Sequence, residues 1–92
     1  MKFKDAPNTM VITTKRIITQ AAAVLVVLHD EEDGMWQFLD GYEMDENAAA
    51  IISLAEMVSI DSSVEALANL PRGWIARRND ANSAWESHIQ EK

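Results

Sequence analysis

A chain of 92 residues with 48% hydrophobic content and no cysteine makes one domain with a single core, and excludes a disulfide scaffold, a thiolate metal centre and a cysteine nucleophile. The net charge of −7 disfavours nucleic acid as a partner, because that affinity comes mainly from cations. The charge is also segregated: no Lys or Arg stands between Ile17 and Pro71, a stretch that holds eleven of the 15 acids.

Met1 to Asn8 read as a loose polar leader, with no apolar run behind the lysines to make a signal peptide. The longest apolar run, Ala21 to Leu28, falls short of the roughly 20 residues that span a bilayer. The expectation is a soluble, cytoplasmic protein, with residues 1–92 forming one domain.

Met10 to Thr14 predict a short strand with Met10 and Ile12 on one face and Val11 and Thr13 on the other. Lys15 to Gln20 fit one helical turn capped by Thr13 or Thr14, with Ile17 and Ile18 packed back on the sheet. The run Ala21 to Leu28 does not alternate, which suits a central strand buried on both faces. It leads through Asp30-Glu31-Glu32-Asp33-Gly34 into the alternating Met35 to Asp40, a β-hairpin with an acidic tip. Asp45 to Ala50 has good helix propensity, and Ile51 to Leu54 is too short to assign by period. Propensity alone would carry a helix through Val58. Asp61 to Leu70 predict a helix with Ser62 as N-cap, Glu65 at capping-box spacing and Val64, Leu67 and Ala68 on its apolar face. Pro71 ends it. Trp74–Asn79 and Ala84–Ile89 predict a second hairpin around a polar loop. The sum is an α+β fold: a mostly antiparallel sheet of about five strands with one main helix packed on it.

No catalytic constellation is present. The four tip carboxylates lack the alternating oxygen pattern and closing bidentate Glu of a calcium loop. His29 and His88 are far apart in sequence, and such residues are more often half-buried or on the surface than ligands. The serines have no nucleophile-elbow context, and three glycines make no phosphate loop. The expectation is therefore a protein that is not an enzyme, with no metal and no cofactor. The aromatics read first as core, since they dominate core burial. Tyr42 and Glu43, just past a strand end, are the best candidates for an exposed binding pair.

Gly34, then Trp36-Gln37-Phe38-Leu39, Gly41 and Glu43 resemble the signature of a bacterial family first listed as a domain of unknown function. It is now the immunity protein thirty-three family of polymorphic toxin systems. Val11-Ile12-Thr13-Thr14-Lys15-Arg16 looks like its first strand and basic turn. Asn47 and the apolar-Ser53-Leu54 segment look like its middle strand. Ile60-Asp61 with Leu67, Leu70, Pro71 and Gly73 look like its helix and exit, and Arg77 or Arg78 stands where the family has a basic residue. The likeness covers roughly Val11 to Glu86; Met35, between Gly34 and Trp36, departs from it. It implies a helical turn and then a strand over the ambiguous middle stretch. It also implies a stoichiometric inhibitor of a cognate toxin, without cofactor, whose partner could be basic, such as a nuclease. The residues that would form an acidic and aromatic binding face are Asp30, Glu31, Glu32 and Asp33 with Tyr42, Glu43, Asp45 and Glu46, expected at one end of the sheet. Neither nucleic acid nor membrane is an expected partner. The oligomeric state is left open by the sequence. The other reading is a small regulatory or scaffold domain with a different protein partner.

Overall fold

The computed structural model describes residues 1–42 and 46–91. Its strands are β1 (Met10–Thr14), β2 (Val26–His29), β3 (Trp36–Leu39), β4 (Ala49–Ser53), β5 (Trp74–Arg77) and β6 (Glu86–Ile89). They form one six-stranded sheet in the order β4-β1-β3-β2-β5-β6. The α+β class stands, with one strand more than expected. Every neighbouring pair is antiparallel except β1 and β3, which run parallel with Ile12 opposite Gln37. β1 alternates as its sequence requires, with Val11 and Thr13 buried. The Thr13 hydroxyl tolerates burial because it donates to the Phe38 carbonyl at 2.7 Å.

The run Ala21 to Leu28 is only partly strand. Helix α1 (Lys15–Gln20) is capped by Thr14, whose hydroxyl accepts from the Ile17 amide, and closes on Ala21 in the left-handed region at φ 54°. That turn directs Val24 into the core, and the regular ladder begins at Val26. Ile17 is buried as expected, whereas Ile18 is exposed. β2 does lie centrally, between β3 and β5, but its outer face is half-buried rather than buried.

The helix expected over Asp61 to Leu70 is a shorter 3-10 helix (Ser62–Leu67), and a separate helix, α2 (Leu54–Ile60), precedes it. Ser53 caps α2 in a full capping box with Glu56, which ends β4 and starts the helix at one residue. Asp61, not Ser62, caps the 3-10 helix: its carboxylate accepts from the Ser63 amide at 3.0 Å. Arg78 holds the other carboxylate oxygen at 3.2 Å. Asp61 is thereby fixed in extended geometry (φ −143°), so the helical stretch breaks there.

These pieces cover one face of the sheet. Leu54, Met57, Val64, Leu67 and Leu70 pack on Val11, Val27, Trp36, Phe38 and Ala76. Met1 to Asn8 are not merely a leader, because Phe3 is 6% exposed and meets Trp36 edge to face at 5.1 Å. Among the described residues no helix is long and apolar enough to cross a membrane.

Candidate protein-binding surface

The expected acidic face is divided by the topology. Asp30 to Asp33 follow β2 and precede β3, whereas Tyr42 follows β3 and Glu46 precedes β4 at the other end of the strands. Four-residue strands put about 13 Å between those ends. Glu43 and Asp45 lie outside the described residues. The acids therefore sit at two ends of the sheet and do not gather at one.

At the tip, two of the acids hold the loop. Asp30 Oδ1 accepts from the Glu32 amide at 2.8 Å, and Asp33 Oδ1 accepts from the Met35 amide at 2.8 Å. Gly34 sits at φ +71° with the Arg72 guanidinium where a Cβ would be, so a cation is packed against the tip. Glu31 lies against Gly73, and Glu32 is exposed. Among the described residues no group of three or more His, Cys, Asp or Glu is placed to hold a metal ion.

At the other end the organising residue is Asp40, which is 2% exposed. Both its oxygens receive the Arg16 guanidinium, and Oδ1 also accepts from the Tyr42 amide at 3.1 Å. The Arg16 hydrogen bond holds the Asp40 carboxyl below the usual carboxylate range, against the opposing effect of burial. The Tyr42 ring, 74% exposed, stands 5.8 Å from the Arg16 guanidinium carbon. Asp40 and Arg16 were not singled out from the sequence, because a pair 24 residues apart leaves no local signature.

His29 is a satisfied residue. Its ring stacks on Trp36 at 3.8 Å, and Nδ1 lies 2.7 Å from the Leu70 carbonyl, to which its proton is donated. Trp36 in turn donates to Asp5 at 3.4 Å. His88 is exposed on β6.

The outer face of the sheet distinguishes this molecule. Both helices, the 3-10 helix and Phe3 contribute to the core on the opposite face. Register makes Ile51, Ile12, Gln37, Leu28, Ile75 and His88 one continuous outward row. The adjoining row runs through Ala49, Thr14, Leu39 and Val26 to Arg77 and Glu86. Across β4, β1, β3 and β2 no outward side chain is charged; charge begins only at Arg77 and Glu86. Ile51 is 65% exposed and Met10 49%. An antiparallel sheet that faces water normally shows it polar side chains. Here Ile51 and Met10 are exposed and Ile12, Leu28, Val26 and Leu39 are half-buried, while Thr14 and Ile75 on the same rows are buried; the part left open is apolar, as an interaction patch is. The sequence held part of this signal, in the apolar Val26 and Leu28 on the face opposite Val27. It reads equally as burial within the protein's own core.

Beside this face a cleft of about 570 Å³ opens between Val26, Arg77 and Glu86. Its second arginine, Arg78, is occupied by bonds to the Val24 carbonyl and Asp61. Comparison with protein-family models, with curated proteins and with solved structures finds no match.

Proposed function

We propose that this chain is an immunity protein that binds a cognate toxin protein stoichiometrically and neutralises it, without catalysis or a cofactor. The observation that carries the reading is the uncharged outer face of the sheet, centred on Ile12, Gln37 and Leu28. A two-layer domain needs only one apolar sheet face for its own core. A second apolar face favours association with another protein surface. Exposed acids stand at the two ends of the strands, with Glu32 at the tip and Glu46 in the turn before β4. In that position they would steer a basic partner without being desolvated at the centre. The likeness of the Gly34 to Glu43 stretch and its companions to immunity proteins supplies the class of partner. A scaffold domain would use the same face for a different protein.

Co-expression with each polypeptide encoded beside the gene tests the proposal, scored by rescue of growth and co-purification. Rescue with a stable complex is expected. The variant Gln37→Arg replaces a residue that is already polar and puts charge and bulk at the centre of the face. It is expected to abolish rescue and weaken the complex by at least about tenfold. Glu32→Lys with Glu46→Lys is expected to slow association and flatten its salt dependence. A toxic neighbour that this chain fails to rescue, or rescue untouched by Gln37→Arg, would overturn the reading.

A further inference from the structure

We propose that β4 pairs with β4 of a second copy, antiparallel across a two-fold axis through Ile51. The two edges of the sheet are built differently. β6 presents Glu86 and His88, a polar edge of the kind that discourages pairing. β4 presents Ala49, Ala50, Ile51, Ile52 and Ser53, with no charge and no proline. Its register with β1 is continuous from Met10–Ser53 to Thr14–Ala49, so no bulge twists the edge away.

The backbone polarity of β4 follows from its neighbour. Leu54 donates to the Thr9 carbonyl at 2.8 Å, and Lys15 donates to the Ala48 carbonyl at 2.8 Å. Antiparallel ladders alternate, so the even-numbered residues of β4 face β1. The amides and carbonyls of Ala49 and Ile51, and the carbonyl of Ser53, face away from it. Ile51 is the middle residue of the strand. A two-fold axis there sets Ile51 against Ile51, with both of their hydrogen bonds exchanged, and Ala49 against Ser53 of the second copy. The Ser53 amide is already directed to Glu56 at 3.4 Å, which leaves the Ala49 amide to donate to the Ser53 carbonyl. The exposed Ile51 side chains then meet on the outer face, where opposed β-branched residues pack well. The edge is thus its own complement, as an isologous contact requires.

Each copy carries a net charge of −7, so a second copy is accepted only where charge is absent, and β4 is such a place. Glu46 and Glu56 flank the strand, and the two-fold axis brings the Glu46 end of one copy to the Glu56 end of the other. Salt screens that repulsion, so the pairing tightens as ionic strength rises. Five residues bury less than the ~800 Å² per partner of a standard interface, so the dimer dissociates on dilution. The outer faces of both copies stay open and become continuous. The pairing therefore stands or falls separately from toxin binding.

Sedimentation equilibrium of the full chain from about 1 to about 300 µM tests the proposal. The mass is expected to climb from 10.3 kDa toward twice that value, and to climb earlier at higher salt. Ile51→Pro removes the outward amide and the side chain at the axis but no hydrogen bond within the chain's own sheet, because the Ile51 N–H takes no part in the ladder with β1. It is expected to weaken dimerisation at least about tenfold with the far-UV spectrum unchanged. Ile51→Lys, which opposes two charges at the axis, is expected to do the same. In the unmodified chain the amides of Ala49 and Ile51 are expected to lose hydrogen-exchange protection on dilution, while those of Ala50 and Ile52 keep it. A single-chain mass throughout the range would overturn the proposal. So would a dimer that survives Ile51→Pro, or exchange at Ala49 and Ile51 that ignores concentration.

Discussion

Arg78→Ala should be among the most damaging single substitutions outside the apolar core. Arg78 is 9% exposed and ties four parts of the chain together. Its Nε donates to the Val24 carbonyl at 2.8 Å, just before β2. Its Nη2 meets Asp61 at 3.2 Å, where the helical stretch breaks. Its Nη1 reaches the Ala81 carbonyl at 3.5 Å, and its guanidinium carbon stands 4.2 Å from the Trp85 ring centre. Truncation leaves the Val24 carbonyl without its partner in the interior, at about 1–3 kcal/mol. The Asp61 side chain is 23% exposed, so water replaces part of the lost ion pair and its share is about 1 kcal/mol. The ring contact adds about 0.5–1 kcal/mol. The sum is roughly 3–4 kcal/mol, a large fraction of the ~5–15 kcal/mol that a domain has. In a domain of this size each kcal/mol lowers Tm by about 4–8 °C, so a fall of ~15 °C or more is expected. Arg78→Lys keeps the charge and loses the fork, and should cost about 2 kcal/mol. Urea titration followed by far-UV circular dichroism measures both. A double-mutant cycle with Asp61→Asn should give a coupling near 1 kcal/mol. A cost below about 1 kcal/mol for Arg78→Ala would refute the view that this guanidinium fastens β2, the helical break and the last hairpin together.

Two further outcomes are expected. The Asp40 carboxyl titrates below its unfolded value of about 3.9, so its pairing with Arg16 stabilises the fold fully above that pH, and the contribution is lost as pH falls through the folded pKa. Asp40→Asn should therefore destabilise the protein by about 2 kcal/mol at pH 7, and the gap from the unmodified chain should close in acid when urea midpoints are compared across pH. Ser53→Ala removes the acceptor of the Glu56 amide at 3.1 Å and should cost about 1 kcal/mol, whereas Ser53→Asp should restore most of it in the same titration.

Local chemistry was legible in the sequence, and long-range closure was not. The alternation of Met10 to Thr13 assigned its faces correctly, and that of Trp36 to Leu39 marked a strand that is one, because a period of two leaves little choice once one face is apolar. The Thr14 cap was also foreseeable from residue type and position. The Ser53 and Glu56 capping box is local in spacing but masked by its setting, since the stretch from Asp45 to Val58 has helix formers on both sides of it. Ser53 and Glu56 divide strand from helix more sharply than propensity does. The break at Asp61 depends on Arg78, 17 residues away, and the sinking of Asp40 depends on Arg16, 24 residues away. No window of sequence holds both partners.

The segregated charge seen in the sequence and the uncharged sheet face are consequences of one arrangement. The stretch from Ile17 to Pro71 lacks cations and contains β2, β3 and β4. Within it the described acids stand in the tip loop, in the turn before β4, on α2, at Asp61 and in the 3-10 helix, or are buried as Asp40 is; none lies in a strand. The strands are left with neutral side chains on both faces while carboxylates surround them. A surface of that kind concentrates the negative charge at its rim. Its centre stays free of the desolvation cost that charge would impose on a docked protein. If the proposed function holds, electrostatics would govern how fast a basic partner arrives, and the apolar centre how long it stays. On the proposed function, mutations at the rim and at Gln37 should accordingly separate into association-rate and dissociation-rate effects on the complex with the partner. If both classes altered only the association rate, the apolar face would be bystander surface, and the acids alone would hold the partner.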